Sequence, residues 1–203
     1  MYRPDYATIP ESKLDTLFDV KGHFYLGKTY PCREYLHIRS ADKELLKVPD
    51  LLVVMMNPGE STPLIGGDNG QKEVPASPDK TQYRIMRVML AKNLRFARVL
   101  NLSDYRDKQS HQFEAMIPTL EKNYPEHSIF HANRIRDFNH LFPASAKLVV
   151  GWGAGRRLEP LVRRALGKFQ NSRLVGVKRA GDNWCYYHPS RCSGWLAKVV
   201  AQL

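Results

Sequence analysis

Polar residues follow four apolar stretches of the chain, each at a point where a buried strand should end. The first stretch, 51–62, reads LLVVMMNPGEST, and its Asn-Pro-Gly (57–59) is a strong local stop signal. A second stretch ends in Asn101, a third in Gly-Trp-Gly (151–153) and a fourth in His-Pro-Ser (188–190). Since parallel strands place successive exits at the same sheet edge, we expect these amide, imidazole and hydroxyl groups to converge on one ligand-binding crevice.

The elements that must position these groups alternate between strands and helices. Buried strands are predicted at 51–57, 97–101, 146–150 and 172–179. Helices are predicted from an N-cap at Asp79 or Thr81, at 109–122 with an interruption at Pro118, and at 129–142, 156–168 and 193–203. One or two short antiparallel strands are expected within 22–39, and an irregular loop, functional or mobile, at 60–78. This order predicts an α/β fold, a three-layer α/β/α sandwich around a mostly parallel four-stranded sheet.

Length and composition indicate one domain over 1–203, with 1–47 as an N-terminal lead-in with short strands and 48–203 as the core. No apolar segment approaches the roughly 18 residues of a membrane span, and the start lacks the apolar core of a secretion signal, so we expect a cytoplasmic protein. The three cysteines are odd in number and scattered, which predicts buried or incidental thiols.

The charge of the chain suggests a polyanionic partner. Lysine and arginine number 31 against 20 acidic residues, a net charge of +11. The basic residues recur through the chain: Lys80, Arg84, Arg87, Lys92, Arg95, Arg98, Arg134, Arg136, Arg156, Arg157, Arg163, Arg164 and Lys168. A folded basic surface of this kind binds phosphate backbones. The alternative is a soluble protein that is merely basic.

The four motifs, in this order, resemble those of the uracil-DNA glycosylase superfamily, over roughly residues 48–200. The resemblance is closest to the Asn-Pro-Gly branches, the mismatch-specific and single-strand-selective types. This chain also resembles a related domain family in which a comparable strand is followed by Asn-Pro-Ser. Such enzymes extrude a nucleotide from the helix, read its base edge in a pocket and cleave its bond to the sugar with water.

The resemblance implies two catalytic residues. Asn57 would position the attacking water, and since an amide is not a true general base, catalysis would depend on electrostatics and a dissociating, cationic sugar. His188 would stabilise negative charge on the departing base. The alternatives are an ordinary strand exit for Asn57 and a core histidine for His188.

The resemblance also implies residues that hold the nucleotide. Asn101 would bond the pyrimidine edge, which an amide can do bidentately, unless it only caps a strand. Tyr83 and Tyr105 are candidates to stack on the base, with a core position as the alternative for each. Ser190 and the backbone at Arg191 would hold phosphates ahead of the last helix. We expect Pro58, Gly59 and Arg84 to contact DNA as well.

Two departures from the pattern stand out: the first concerns the wedge residue, and the second points away from plain uracil. Arg191-Cys192 stands where several branches carry an apolar wedge, and the Gly/Pro-rich loop after Asn57 is larger than a uracil pocket needs. Branches of this superfamily are associated with defence against phage by excising modified bases. The resemblance therefore implies a monofunctional DNA glycosylase, for example one that removes hydroxymethylated or glucosylated cytosine.

Other chemistries lack their motifs in this sequence. There is no GxxxxGK[ST], GxSxG, HExxH or paired CxxC, so we expect no cofactor and no metal. We expect a monomer whose partner is DNA. Two alternatives remain: a catalytically inactive module of the same fold that binds nucleic acid or a nucleotide, and an enzyme acting on a small nucleoside or nucleotide.

Overall fold

The computed structural model describes residues 5–41, 46–66, 70, 72–170 and 172–203. Its centre is one mixed sheet of seven strands, in the order β4-β1-β2-β5-β3-β6-β7. The strands are β1 (Phe18–Gly27), β2 (Tyr30–Ser40), β3 (Leu51–Met55), β4 (Val74–Pro75), β5 (Phe96–Asn101), β6 (Lys147–Val150) and β7 (Leu174–Val175). The α-helices are α1 (Glu11–Leu17), α2 (Lys80–Lys92), α3 (Ser110–Asn123), α4 (Ile135–Leu141), α5 (Glu159–Lys168) and α6 (Trp195–Gln202). Short 3₁₀ helices occur at Tyr6–Thr8, Pro125–His127, Ala132–Arg134, Arg156–Leu158 and Pro189–Arg191.

The predicted α/β class is confirmed, but the sheet is larger than the four strands expected. The four predicted strands form its parallel part, because β3 pairs in parallel with both β5 and β6, and β6 pairs in parallel with β7. The other three strands are antiparallel: β2 pairs with β5, β1 with β2, and β4 with β1. The segment expected as a lead-in therefore supplies two strands of 10 and 11 residues to the sheet.

Apolar side chains cover both faces of the parallel strands. On β3, Leu51, Val53 and Met55 belong to the core beneath α1, α2 and α6, whereas Leu52 and Val54 belong to the core beneath α3, α4 and α5. This alternation follows from the two-residue repeat of a strand. Because both faces are covered, the run LLVVM is continuously apolar, as is usual for parallel strands.

Several predicted boundaries are wrong by a few residues. The first strand ends at Met55 rather than Asn57, and the fourth is only two residues long. The predicted helix at 129–142 is a 3₁₀ turn followed by α4, and α3 continues through Pro118. Part of the predicted loop at 60–78 forms β4, and residues 67–69 and 71 of that loop lie outside the described residues.

The start of α2 is firmly fixed beside the sheet edge. Asp79, one of the two predicted N-caps, accepts hydrogen bonds from the backbone of Thr81 (2.6 Å) and Gln82 (3.2 Å) through Oδ1. Gln82 completes a capping box by accepting from the backbone N–H of Asp79. Within the described ranges, no helix has the length and apolarity that crossing a membrane requires. The three cysteines are free thiols, and Cys32 and Cys185 are buried.

Candidate functional site

A cavity of about 410 Å³ lies where the parallel strands end. Each of the four predicted motifs contributes to its wall. His-Pro-Ser, however, does not follow a strand as expected, because β7 ends at Val175 and the chain just before the motif makes isolated bridges at Tyr186. The residues from these motifs that line it are Asn57, Gly59, Asn101, Trp152, Gly153, His188, Ser190 and Arg191. The N-terminus of α2, from Asp79 to Gln82, forms a further side. The four motifs therefore converge, and the position agrees with the usual ligand site of open α/β sheets.

Asn57 is half-buried, and its side-chain nitrogen is held by the surrounding loops. The Nδ2 group donates to the backbone carbonyls of Asp107 (2.9 Å), Pro58 (3.1 Å) and Tyr105 (3.4 Å). These bonds fix the amide plane and leave the oxygen Oδ1 without a donor among the described residues. Asn57 can therefore offer a fixed hydrogen-bond acceptor in the cavity wall.

Asn101, the last residue of β5, is fully buried and unsatisfied. Its relative exposure is 0%, yet neither Nδ2 nor Oδ1 has a hydrogen-bond partner in the part of the chain that the structure describes. Ala97 and Val99 belong to the core beneath α2, so by alternation Asn101 faces the same side, at the floor of the cavity. Buried amides are almost always hydrogen-bonded, so a free donor and a free acceptor in a cavity indicate recognition of a ligand.

His188 enters the cavity as a neutral imidazole with a defined tautomer. Its Nδ1 accepts a hydrogen bond from the backbone N–H of Ser190 (3.3 Å) and lies 2.8 Å from the Ser190 hydroxyl oxygen. This network assigns the ring proton to Nε2. Burial lowers the pKa of His188 to about 4, and the charges of Arg84 and Arg191 act in the same direction. At neutral pH the ring is therefore an uncharged donor through Nε2.

Arg33, which the sequence analysis did not select, lies in the same cavity. It belongs to β2, where the pairing with β1 shifts register between His23 and Phe24. After this bulge Arg33 pairs with Phe24, whose ring is in the core beneath α2, so Arg33 faces that side too. The guanidinium is 1% exposed, and neither Nε nor Nη1 has a partner within the described residues.

Asp79 provides negative charge close to both Arg33 and His188. Its carboxylate raises the pKa of each group, although burial has the larger effect and lowers both values, that of Arg33 to about 10. Arg33 therefore remains charged at neutral pH. Among the described residues it forms no ion pair with Asp79, whose Oδ1 is used to cap α2.

The two tyrosines predicted to stack on a base do not line the cavity. Tyr83 packs against the core beneath α1, and its hydroxyl donates to Asp15 (2.9 Å). Tyr105 packs on the opposite side of the sheet, edge-on to Tyr30. The aromatic residue in the wall is instead Trp152, fully buried, whose indole N–H donates to the Trp184 carbonyl (2.8 Å).

The predicted phosphate contacts of the His-Pro-Ser motif are only partly available. The motif opens a 3₁₀ turn rather than the last α-helix, which begins at Trp195. The backbone N–H groups of Ser190 and Arg191 donate to Nδ1 and the carbonyl of His188, so neither is free for a phosphate, contrary to expectation. The Ser190 hydroxyl also donates to Nδ1 of His188, so of the predicted phosphate contacts the exposed Arg191 side chain remains available at the rim.

Four other residues expected at a DNA surface differ in position. Gly59 lines the cavity, whereas Pro58 is buried and supports Asn57 through its carbonyl. Arg84 does not line the cavity. Arg134, counted in the basic surface, is instead buried in ion pairs with Asp104 and Glu34.

The cavity wall carries balanced charge. The acidic side chains in its lining are Glu60, Asp79, Asp107 and Glu114, and the basic ones are Arg33, Lys80, Lys108 and Arg191. The excess positive charge of the chain is therefore not concentrated in the cavity. No cluster of three or more histidine, cysteine, aspartate or glutamate side chains suited to a metal ion occurs in the described ranges.

Comparison with known proteins adds little to this geometry. No protein-family model matches the chain, and no curated protein matches it. Among solved structures, a mutant of the feruloyl esterase module from Clostridium thermocellum complexed with sinapinate is similar, with a TM-score of 0.38 and 11% identity. That similarity covers 100% of this chain and 67% of the other, but it is too weak to support any conclusion about fold or activity.

Proposed function

We propose that this protein is a monofunctional DNA glycosylase of the uracil-DNA glycosylase-like fold, a three-layer α/β/α sandwich. The observation that carries the proposal is the Asn101 amide, which is fully buried at the cavity floor and whose donor and acceptor have no partner among the described residues. A pyrimidine edge offers a neighbouring donor and acceptor, and an amide can bond both at once. Asn57 and His188 line the same cavity, which fits the two catalytic roles that the resemblance implies.

The chemistry follows from the atoms left free. As the N-glycosidic bond breaks, its electron pair passes to the base, and the Nε2–H of neutral His188 donates to the oxygen on which negative charge develops. The sugar becomes cationic at its anomeric carbon. A water held by Oδ1 of Asn57 adds to that carbon and releases its proton to solvent, which leaves an abasic site.

The size of the cavity supports a modified base. Its volume of about 410 Å³ lies within the range of roughly 300–1,000 Å³ usual for drug-sized ligands, so a pyrimidine with a substituent can be held. We extend the proposal to excision of hypermodified cytosine, such as hydroxymethyl- or glucosylcytosine, from phage DNA in antiviral defence. The site would act in the cytoplasm, without metal or cofactor.

The test is incubation of the protein, in EDTA, with uracil-containing DNA, unmodified DNA and phage DNA carrying hydroxymethyl- or glucosylcytosine, followed by alkali. We expect strand breaks in a modified substrate alone. The breaks should be lost in Asn57→Ala and retained in the matched control Asn139→Ala, which changes an exposed asparagine. Intact DNA with salt-sensitive retention on a gel would favour the inactive binding module instead. Cleavage of free nucleosides with little affinity for DNA would favour a nucleoside hydrolase, which the balanced charge of the cavity also accommodates.

A further inference from the structure

Arg33 stands out among the buried arginines because two of its side-chain nitrogens, Nε and Nη1, have no hydrogen-bond partner among the described residues. Arg134 donates to Asp104, Glu34 and Asp137, and Arg98 donates to His37 Nε2 (2.8 Å) and the Leu141 carbonyl (2.6 Å). The fold thus provides hydrogen-bond partners for other buried guanidinium groups, although these are slightly more exposed than that of Arg33. In Arg33 the backbone N–H donates to the carbonyl of Asp104 (2.8 Å), but Nε and Nη1 of the side chain have no partner among the described residues.

An unpaired cation at this depth is costly to the fold. Removing a charge from water costs several kcal/mol unless close partners replace the hydration. Asp79 reduces the cost, since its carboxylate acts on Arg33 electrostatically, but neither Nε nor Nη1 has a hydrogen-bond partner among the described residues. A guanidinium binds two oxygen atoms side by side along its Nε–Nη2 edge or its Nη1–Nη2 edge, and in Arg33 each of these edges has a donor, Nε or Nη1, without a partner among the described residues.

Burial orients a ligand in the cavity. Arg33 and Asn101 are almost fully buried, Asn57 and His188 are half-buried, and Ser190 and Arg191 are exposed. A nucleotide that enters from the rim with its sugar bond near Asn57 would therefore bring its base to Asn101 and the far end of any base substituent toward Arg33.

We propose that Arg33 is a specificity-determining residue that binds a pair of oxygen acceptors on an exocyclic substituent of the base. The inference rests on the proposed function and names the substrate class of that site: pyrimidines with an acceptor-rich substituent. Two substituents present this chemistry, a carboxylate and the neighbouring hydroxyl oxygens of a sugar. The β2 bulge is the structural device that directs Arg33 into the cavity rather than to the opposite face.

Binding of free bases tests the inference directly. Uracil, 5-carboxyuracil and a 5-glucosyloxymethyl uracil are titrated into wild type, Arg33→Gln, Arg33→Lys and, as a control on the exposed face of α4, Arg136→Gln. Wild type and the control should bind one substituted base about 10- to 100-fold more tightly than uracil, as expected for charge-assisted hydrogen bonds. The base that is preferred identifies the substituent.

The variants separate charge from geometry. Arg33→Gln should lose the preference and keep its affinity for uracil, and Arg33→Lys should retain only part, since an ammonium lacks the paired donors. Equal wild-type affinity for all three bases, or a preference that survives in Arg33→Gln, would overturn the inference. So would failure of Arg33→Gln to fold, because the guanidinium would then be structural.

Cleavage assays on DNA carrying the same bases keep the two proposals distinguishable. Cleavage without an Arg33-dependent preference would retain the glycosylase and reject the role of Arg33. An Arg33-dependent binding preference without cleavage of any DNA would reject the glycosylase and retain the role of Arg33 in ligand recognition.

Discussion

Replacing Asn101 with leucine should make the protein more stable while removing its activity. Leucine has nearly the shape of asparagine, but it removes two buried polar atoms that have no partners within the described residues. Each unsatisfied group costs about 1–3 kcal/mol. Because both atoms border a cavity that solvent can enter, we take the lower end for each, a gain of about 2 kcal/mol in unfolding free energy. For a chain of 203 residues this corresponds to a Tm increase of roughly 4–8 °C.

The measurement is urea and thermal unfolding of wild type, Asn101→Leu and Asn139→Leu, together with cleavage of the preferred DNA. Asn139 is exposed on α4, so its change should stay within about 0.5 kcal/mol. Cleavage by Asn101→Leu should fall by at least about 100-fold, since two hydrogen bonds to the base are lost. A decrease in the Tm of Asn101→Leu would mean that the amide is bonded in the native protein, and the recognition role would be refuted.

Four other perturbations test the remaining steps. Asn57→Ala should abolish cleavage of every DNA that wild type cleaves without weakening DNA binding; retained activity would remove Asn57 from the mechanism. Because the pKa of folded His188 is about 4, activity should stay level from pH 8 to pH 5 and fall only as the pH drops through 4. The unfolded imidazole takes up its proton near pH 6.5, so wild type should also lose stability between pH 6.5 and 4. His188→Gln should lose less over this range, since only the part due to His37, whose pKa burial also lowers to about 4, remains; identical profiles would contradict the burial of the His188 ring. DNA binding should weaken steeply with salt, measured by retention on a gel, and salt-independent binding would argue against phosphate contacts. Gly176→Ala should cost about 2 kcal/mol in urea unfolding, because its Cβ would lie 2.5 Å from the Val150 carbonyl oxygen, whereas Gly167→Ala has open space and should be neutral or stabilising; equal effects would refute this packing.

The parallel part of the sheet was predictable because its strands are short apolar runs with sharp ends. Two of these strands are buried along their whole length, β3 (LLVVM) and β5 (FARVLN). Asn57, just after β3, and Asn101, the last residue of β5, both line the cavity. Asn57, Asn101 and His188 could be selected for the same reason, since each stands at a strand exit or a Pro-containing turn. Boundaries were less predictable, because the fourth strand and the helix after Ile129 depend on tertiary packing rather than on local pattern.

Arg33 could not be found in this way. An unbroken two-residue repeat through β2 would place Arg33 on the face of the sheet away from Leu36 and Ile38. The bulge turns Arg33 to the same face as Leu36 and Ile38. No residue type in the β2 sequence YPCREYLHIRS indicates that a bulge is present. Arg134 illustrates the opposite error. A cation in a polar stretch is predicted to lie on the surface, but Arg134 is buried because acidic residues distant in sequence pair with it.

The sheet ends on both sides in strands of only two residues, β4 and β7. Long, flat edge strands offer unpaired backbone groups to which another chain can add. Here Val74–Pro75 presents little such backbone, and Pro75 has no N–H to donate. The five longer strands are all internal, so the most apolar segments of the chain are shielded from edge-to-edge association. This arrangement should let the folded protein be concentrated for the assays above without fibril formation through its sheet.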